Sequence, residues 1–184
     1  MNLIHKSEAK AHQNGQACRV YEYEFPNENV FNNAVVNLDG RYPERGYAIN
    51  RKCKELIYVM EGAGVVVAGG KLQVLGEGDM VLIATGEEYY LVGKMKLLIT
   101  SVPAWRPDQA ENIGDDEPVR IGYTNWKGEK GDRHIQPLQV WYGATQWHPE
   151  EQWLLRALDV EKQAERDFAL KDIVQVQRRN DDGQ

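Results

Sequence analysis

The feature that most constrains the fold is a series of short apolar runs separated by glycine-rich turns. Residues 56–60 and 65–68 are β-favouring, and residues 61–64 between them carry two glycines that predict a turn. Two further glycine pairs, at residues 69–70 and 76–78, predict turns before the next apolar run. Several short strands at this spacing are typical of a β-barrel or sandwich. Because the runs are apolar on both faces, we expect one face to line the interior and the other to pack on the second half of the chain or on another subunit.

Composition excludes several classes of protein. The chain has 184 residues, of which 42% are hydrophobic and 27% charged, as is ordinary for a soluble globular protein. A net charge of -6 argues against a protein that coats nucleic acid without sequence specificity. Residues 1–16 are polar without the apolar core of a signal peptide, and no aliphatic run approaches the roughly 20 residues of a membrane helix. With only two cysteines, no disulfide framework is expected, and we predict a cytoplasmic protein with no membrane partner.

One change in composition divides the chain. Residues 106–118 contain two prolines, five acidic residues and few apolar ones, which predicts a linker. The predicted organisation is an N-terminal extension (1–17), a first barrel (18–107), a linker (108–117), a second unit (118–174) and a flexible tail (175–184).

The second half is also predicted to form strands. Residues 119–123, 133–140, 153–160 and 167–170 are the candidates, and Pro137 favours an edge position for the second of them. Residues 150–158 also have the composition of a helix. We favour a strand there.

Two segments of the first half resemble the motifs of the cupin superfamily. In residues 55–62, Glu55 and Gly62 have the motif spacing, and in residues 78–86, Gly78 and Gly86 do. The resemblance covers about residues 18–105. It implies a jelly-roll β-barrel and, since cupins frequently pair through their sheets, a homodimer.

The positions that carry metal ligands in cupins are largely substituted here. They hold Ile49, Arg51, Glu55 and Tyr89, and a permanently charged guanidinium repels a cation. We therefore expect no metal and no other cofactor, although a site built from Cys53 and Glu55 stays an alternative. Strand alternation places Arg51, Cys53 and Glu55 on one side. If that side is the interior, Arg51 pairs with Glu55, and these groups with Tyr89 form a pocket for a small polar or anionic ligand. The alternative is an ion pair that merely fills the barrel.

Cys53 is also a candidate nucleophile, because Arg51, Lys52 and Lys54 lie beside it in sequence. No histidine lies nearby as a base, so we favour an inert core cysteine.

Four segments of the second half, in order, resemble the WYL domain, a small Sm-like or SH3-like β-barrel found in bacterial regulators and defence-associated proteins. They are residues 119–123, 133–138, 153–157 and 166–173, and the resemblance covers about residues 118–174. Leucine replaces the tyrosine of the naming tripeptide. The resemblance implies a module that binds nucleotides or single-stranded nucleic acid through Arg133, Trp153, Arg156 and Arg166. The alternative is that Trp153 belongs to the core and the arginines pair with nearby acids.

The sequence therefore predicts an all-β chain, a cupin jelly-roll barrel plus a small Sm/SH3-like β-barrel. Our first functional hypothesis is a non-catalytic ligand-binding, sensor or accessory protein for a small anionic or nucleotide-like molecule. The alternative is a metal-independent cupin enzyme of the isomerase or epimerase type, with Glu55 as base and Tyr89 as acid. The lack of any histidine between His12 and His134 weighs against it. A third hypothesis is an interaction surface in a larger assembly. His148 is expected at the surface or in a cap.

Overall fold

The computed structural model describes residues 1–174, and their regular structure is almost entirely β. Three short 3-10 turns lie at Lys6–Glu8, Pro107–Gln109 and Leu170–Asp172. The first unit contains nine strands: β1 (Lys10–Asn14), β2 (Cys18–Tyr23), β3 (Asn32–Tyr42), β4 (Tyr47–Asn50), β5 (Lys54–Ala68), β6 (Lys71–Gly76), β7 (Met80–Ile83), β8 (Glu88–Val102) and β9 (Ala110–Ile113). No helix in residues 1–174 has the length and apolar character needed to cross a membrane.

The nine strands form one antiparallel, curled sheet around β8. One edge of β8 pairs with β3 and then with β4, and the other edge pairs with β5. The sheet continues from β3 to β2 and β1, from β4 to β9, and from β5 to β6 and β7. Its inner face carries an apolar core that includes Ile57, Val59 and Leu97, none of which is exposed.

The turn that we predicted at residues 61–64 is absent, because β5 runs without interruption from Lys54 to Ala68. A β-bulge lies between Val59 and Glu61 where β5 pairs with β8. Gly62 has a φ of +85°, and a Cβ there would lie 2.0 Å from the carbonyl oxygen of Lys94. The glycine thus allows a bulge and a close strand contact, rather than a reversal of the chain.

Part of the segment that we expected to be a linker belongs to the sheet. Residues of β9 pair with β4, from Tyr47 opposite Ile113 to Asn50 opposite Ala110. The Asp116 carboxylate accepts hydrogen bonds from the Arg41 guanidinium (2.9 Å) and the Gly46 amide (2.7 Å). The acidic residues that resemble a solvated linker in the sequence are therefore used to hold this segment against the first unit.

The second unit is a separate five-stranded antiparallel sheet. Its strands are β10 (Val119–Thr124), β11 (Lys130–Thr145), β12 (His148–Asp159), β13 (Ala164–Ala169) and β14 (Ile173–Val174). The first four form a meander, and β14 returns after a 3-10 turn to pair with β10. This order matches the small SH3-like barrel that we predicted, and the strand preferred over a helix at residues 150–158 is confirmed.

The edge position that we predicted is wrong for the strand as a whole but holds at Pro137 itself, because pairing with β10 ends at Ile135 and Pro137 is paired with β12 alone. Strand β11 lies between β10 and β12. The pairing of β11 with β12 shifts register between Pro137 and Gln139. This irregularity accommodates a residue that has no amide hydrogen to donate to the ladder.

The two units share a second apolar core. The outer face of β5, β6 and β8 contributes Val65, Val67, Leu72 and Val92, and the second unit covers them with residues that include Ile121, Ile135, Leu155 and Phe168. The runs that are apolar on both faces are thereby explained, since one face lines the barrel and the other packs on the second unit.

Candidate active site

A cavity of about 80 Å³ lies inside the first barrel, on the inner side of β2, β3, β5 and β8. This volume is several times the roughly 10–15 Å³ that one water molecule needs. The polar part of its lining includes Asn32, Tyr42, Asn50, Glu55, Tyr89 and Ser101. Apolar side chains such as Val36 and Leu91 complete the wall. The cavity therefore combines a polar cluster with the low-dielectric surroundings of the core.

The centre of this cluster is a hydrogen bond between two buried side chains. The Tyr89 hydroxyl donates to Glu55 Oε2 over 2.7 Å. Glu55 is placed by β5, where it pairs with Ser101 of β8 and Ile83 of β7, and Tyr89 lies at the start of β8. Glu55 is 7% exposed and Tyr89 4% exposed. The two residues that we predicted as base and acid are thus in direct contact inside the barrel.

Burial changes the acidity of these groups. It raises the pKa of Glu55, although the Tyr89, Asn50 and Ser101 side chains partly counter this by stabilising the carboxylate. Burial together with the Glu55 charge raises the pKa of Tyr89 well above its ordinary value, and burial raises the pKa of Tyr42 to about 12. The tyrosines are consequently neutral hydroxyl donors, and Glu55 holds a proton more readily than an exposed carboxylate does.

Two asparagines and a tryptophan form a fixed polar wall beside Glu55. The Trp105 indole donates to Asn50 Oδ1 over 3.1 Å, and its backbone amide donates to Asn32 Oδ1 over 2.9 Å. Our sequence analysis did not identify Asn32, Asn50, Ser101 or Trp105. Asn50 lies between Ile49 and Arg51, two positions that carry metal ligands in cupins, but only the register of β5 with β8 brings Ser101 beside Glu55.

Arg51 does not pair with Glu55. Its guanidinium bonds Glu111 Oε2 (2.9 Å), and both side chains are about half exposed, at 49% and 52%. Residues 51–53 lie in the connection between β4 and β5, so the alternation of a continuous strand does not apply to them. The cavity lining within residues 1–174 includes three glutamates, Glu22, Glu55 and Glu111, and no lysine, arginine or histidine. Such a cavity is unfavourable for an anion.

Cys53 is fully buried but does not line the cavity. Burial raises the pKa of its thiol to about 11. A protonated, inaccessible thiol is a poor nucleophile and a poor metal ligand.

The donor set does not fit the metal site of a cupin. Ile49 is apolar and 2% exposed, Arg51 lies outside, and only Glu55 and Tyr89 remain at the ligand positions. Within residues 1–174, no three or more His, Cys, Asp or Glu side chains come together in a group that could hold a metal ion. We therefore derive no step that uses a metal.

The four residues predicted from the WYL resemblance are divided between two places. Arg133 and Arg166 line a groove of the second unit. Trp153 packs edge-on against Tyr142, with ring centroids 5.3 Å apart, and Arg156 bonds Asp167 over 3.2 Å, neither of them in the groove. Their assignment to a WYL domain stays a prediction.

Comparison with known proteins supports the fold. No family model matches the chain, and no curated protein matches it by sequence. Pac13, a nucleoside dehydratase from Streptomyces, aligns with 62% of this chain and 92% of its own, at a TM-score of 0.57 and 14% identity. RemF, a polyketide cyclase from Streptomyces resistomycificus, covers 62% of this chain and 86% of its own (TM-score 0.50, 19% identity). Ectoine synthase from P. lautus covers 62% and 91% (TM-score 0.50, 14% identity). The first unit therefore has the fold of cupin-type jelly-roll barrels.

Proposed function

We propose that the barrel is an acid–base active site that moves a proton on a small, uncharged polar substrate. Isomerisation, epimerisation and dehydration are reactions of this class. The hydrogen bond from Tyr89 to Glu55 inside the cavity carries the proposal, because it places a neutral donor against a carboxyl group whose pKa is raised. A carboxyl group with this property can both accept and return a proton at a higher pH than an exposed carboxyl group can.

Glu55 is the residue that exchanges the proton. As a carboxylate it removes a proton from carbon next to a carbonyl group, and the electron pair passes to the carbonyl oxygen. In dehydration, the Glu55 carboxylic acid gives this proton to a hydroxyl group on the neighbouring carbon, which leaves as water while the electron pair forms the carbon–carbon double bond. In isomerisation, it gives the proton to the former carbonyl carbon, while the hydroxyl proton of the first carbon moves to the former carbonyl oxygen. In epimerisation, a solvent proton reaches the other face of the same carbon and Glu55 releases its own proton to solvent.

The Tyr89 hydroxyl orients Glu55 while that group is a carboxylate. Once Glu55 has taken the proton, the same neutral hydroxyl is released to donate to the substrate oxygen that gains charge.

The charges of the lining select the substrate class. Glu22 and Glu55 disfavour an anion, whereas Glu111 is paired with Arg51. The amides of Asn32 and Asn50 and the hydroxyl of Ser101 match the hydroxyl and carbonyl groups of a neutral molecule. Our first hypothesis, a binding pocket for an anion, needs Arg51 in the barrel. Because Arg51 lies outside, the enzyme hypothesis is favoured for this unit.

The neighbours in structure support an enzyme at the level of fold. Pac13 is a nucleoside dehydratase and RemF is a polyketide cyclase. Barrels of this type therefore support chemistry on substrates as different as nucleosides and polyketides, and the site, rather than the fold, decides which.

Proton exchange with solvent tests the proposal. Wild-type protein is incubated in D2O with neutral aldoses, ketoses and nucleosides, including uridine, and proton NMR follows loss of carbon-bound hydrogen or appearance of product. We expect turnover of one substrate class by wild type and not by Glu55→Gln. Glu77→Gln, the same change in an exposed turn, is the matched control and retains activity. A compound that saturation-transfer NMR shows to bind the cavity, but that never exchanges or reacts, contradicts the proposal.

A further inference from the structure

A second and larger recess lies at one end of the small unit. It is a groove of about 590 Å³, and its lining includes Tyr123, Trp126, Arg133, Trp147, His148 and Arg166. Arg133 precedes buried Ile135 by two residues on β11, and Arg166 precedes buried Phe168 by two on β13. Because side chains two apart on a strand share a face, both arginines continue the inner face of the unit beyond its apolar core.

Two tryptophans form an exposed aromatic surface at this groove. The rings of Trp126 and Trp147 are stacked, with centroids 5.5 Å apart and an interplanar angle of 28°. They are 59% and 54% exposed. Each ring therefore has one face against its partner, and more than half of each residue is open to solvent. Two adjacent exposed indoles are costly in a surface that has no ligand, which points to a binding role.

Local hydrogen bonds hold both tryptophans in place. Asn125 Oδ1 accepts from the backbone amides of Lys127 (2.9 Å) and Glu129 (3.0 Å), on either side of the turn that carries Trp126. Thr145 Oγ1 accepts from the amides of Trp147 (3.2 Å) and His148 (3.0 Å). The aromatic surface is therefore organised before any ligand binds, which reduces the entropy lost on binding.

The groove also carries cations. Within residues 1–174, Arg133 has no carboxylate in ion-pair distance, and its Nη1 donates only to the backbone oxygen of Asp132. The Arg166 Nε atom lies 3.7 Å from Asp159 Oδ2, and the Lys127 amine lies 5.2 Å from the centre of the Trp126 ring. Two acids line the groove.

One of these acids, Asp167, is already engaged. Its carboxylate accepts hydrogen bonds from the Trp141 indole (2.9 Å) and from Arg156 (3.2 Å). Glu165 remains as the other acid of the lining, against the lining cations Arg133 and Arg166. Arg166 also forms an ion pair with buried Asp159, and Lys127 adds a cation beside the Trp126 ring. The groove thus has the opposite charge preference to the barrel cavity.

The floor of the groove is polar and ordered. The Tyr123 hydroxyl accepts from the Ala169 amide (3.3 Å) and lies 3.3 Å from His148 Nε2, within hydrogen-bond distance. His148 is 8% exposed, so the surface or capping position that we expected for it is wrong.

We infer that this groove binds a nucleotide group, with the base stacked on the exposed tryptophan surface and the phosphate held by Arg133 and Arg166. An indole face accepts any planar base, and guanidinium groups match phosphate oxygens in pairs. The assignment is independent of the acid–base chemistry in the barrel. A mononucleotide and one nucleotide of a single strand present the same chemistry, and the test separates them.

Calorimetric titration tests the inference. The probes are AMP, adenosine, ribose 5-phosphate and a short oligothymidylate. Binding of AMP that is about tenfold or more tighter than that of adenosine and of ribose 5-phosphate is expected, since only AMP supplies both base and phosphate. A much tighter oligothymidylate identifies a strand as the source of the ligand, and equal or weaker binding identifies a mononucleotide. No binding of either, or ribose 5-phosphate binding as well as AMP, overturns the inference.

Matched variants locate the binding. Arg133→Ala and Trp147→Ala are expected to weaken binding about tenfold or more. Arg120→Ala and Tyr142→Ala alter an exposed arginine and an exposed tyrosine of the same sheet outside the groove lining, and are expected to leave it unchanged. Circular dichroism confirms that each variant is folded. If Glu55→Gln abolishes nucleotide binding and Arg133→Ala does not, the ligand occupies the barrel and the inference is wrong.

Discussion

The barrel cavity and the groove of the second unit differ in almost every property that decides what a site can do. The cavity is lined by glutamates and built around a carboxyl group and a hydroxyl group that both belong to residues less than a tenth exposed. The groove is open, and it presents two indoles and two arginines whose charged or aromatic surfaces face solvent. Proton transfer gains from exclusion of water, whereas capture of a charged ligand gains from accessible cations.

This contrast assigns chemistry to one unit and recognition to the other. A carboxyl group in water has an ordinary pKa, and burial of the kind found at Glu55 raises it. Arg133 and Arg166 need no burial to hold a phosphate, since an arginine is charged at any physiological pH. The predictions below test whether the two sites are as separate as their environments indicate.

The largest expected effect is the loss of barrel activity in Glu55→Gln. The amide keeps the size of the side chain but cannot exchange a proton, so we expect kcat to fall by about 10²–10⁴-fold. Nucleotide binding by the groove is expected to stay unchanged, as measured by calorimetry. Arg133→Ala provides the reciprocal control, with weakened nucleotide binding and normal kcat. A loss of both properties in either variant shows that the sites are coupled.

The second-largest expected effect is a loss of stability in a variant of the apolar core that the two units share. Leu155 is fully buried between the units. Leu155→Ala is expected to lower the free energy of unfolding by about 2–5 kcal/mol, because it removes buried methyl groups and leaves a cavity. Since the core belongs to both units, calorimetry and tryptophan fluorescence should show one transition at a lower temperature. Two transitions, of which only one moves, contradict a common core.

Tyr89→Phe separates positioning from proton exchange. The Tyr89 hydroxyl stabilises the Glu55 carboxylate, so its removal raises the pKa of Glu55 further. We expect kcat to fall by about 10–100-fold, less than in Glu55→Gln. The limb of the pH profile that reports ionisation of Glu55 should move to higher pH.

A fall in kcat at every pH with no displacement of that limb contradicts the proposed role of Tyr89. Tyr58→Phe, which removes a hydroxyl from a strand β5 residue outside the cavity lining, is the control and leaves the profile in place.

Some residues of the cavity could be predicted from the sequence, and others could not. Glu55 and Tyr89 were found because each stands at a motif position, and the motif spacing survives although the metal ligands do not. Arg51 was misplaced because strand alternation fails at the β4–β5 connection. Ser101 and Trp105 reach the cavity only through long-range pairing and hydrogen bonding, which leave no local pattern in the sequence.

The turn at residues 61–64 and the linker show a related limit. Glycine permits a turn, a bulge or a close contact between strands. Only the approach of Lys94 to Gly62 shows that this glycine serves a bulge and a close contact. Acidic, proline-containing segments are usually solvated, but Asp116 here bonds Arg41 across 75 positions in sequence. In both cases the local composition is compatible with more than one structure. A contact with a residue that is distant in the sequence determines which structure forms.

The smallest expected effect is a pH-dependent change in stability that is caused by burial of the Glu55 carboxyl group. Because the pKa of Glu55 is higher in the folded than in the unfolded protein, its protonated form favours folding. This contribution is complete below the unfolded pKa of about 4.3 and is lost as pH rises through the folded value. Glu55→Gln carries no such charge. Its melting temperature should therefore exceed that of wild type by a few degrees at about pH 8, and by less at about pH 4.

The difference between the two melting temperatures is the quantity to measure, by calorimetry across that range. Burial also raises the pKa of Glu22, which makes stability fall with pH in the same direction, but Glu22 is present in both proteins and cancels in the difference. Glu77→Gln should follow wild type at every pH, because Glu77 is exposed. A difference that is constant with pH would mean that Glu55 titrates as it does in the unfolded chain. In that case the pKa of Glu55 would not be shifted by the barrel, and the two sites would differ only in how accessible their functional groups are.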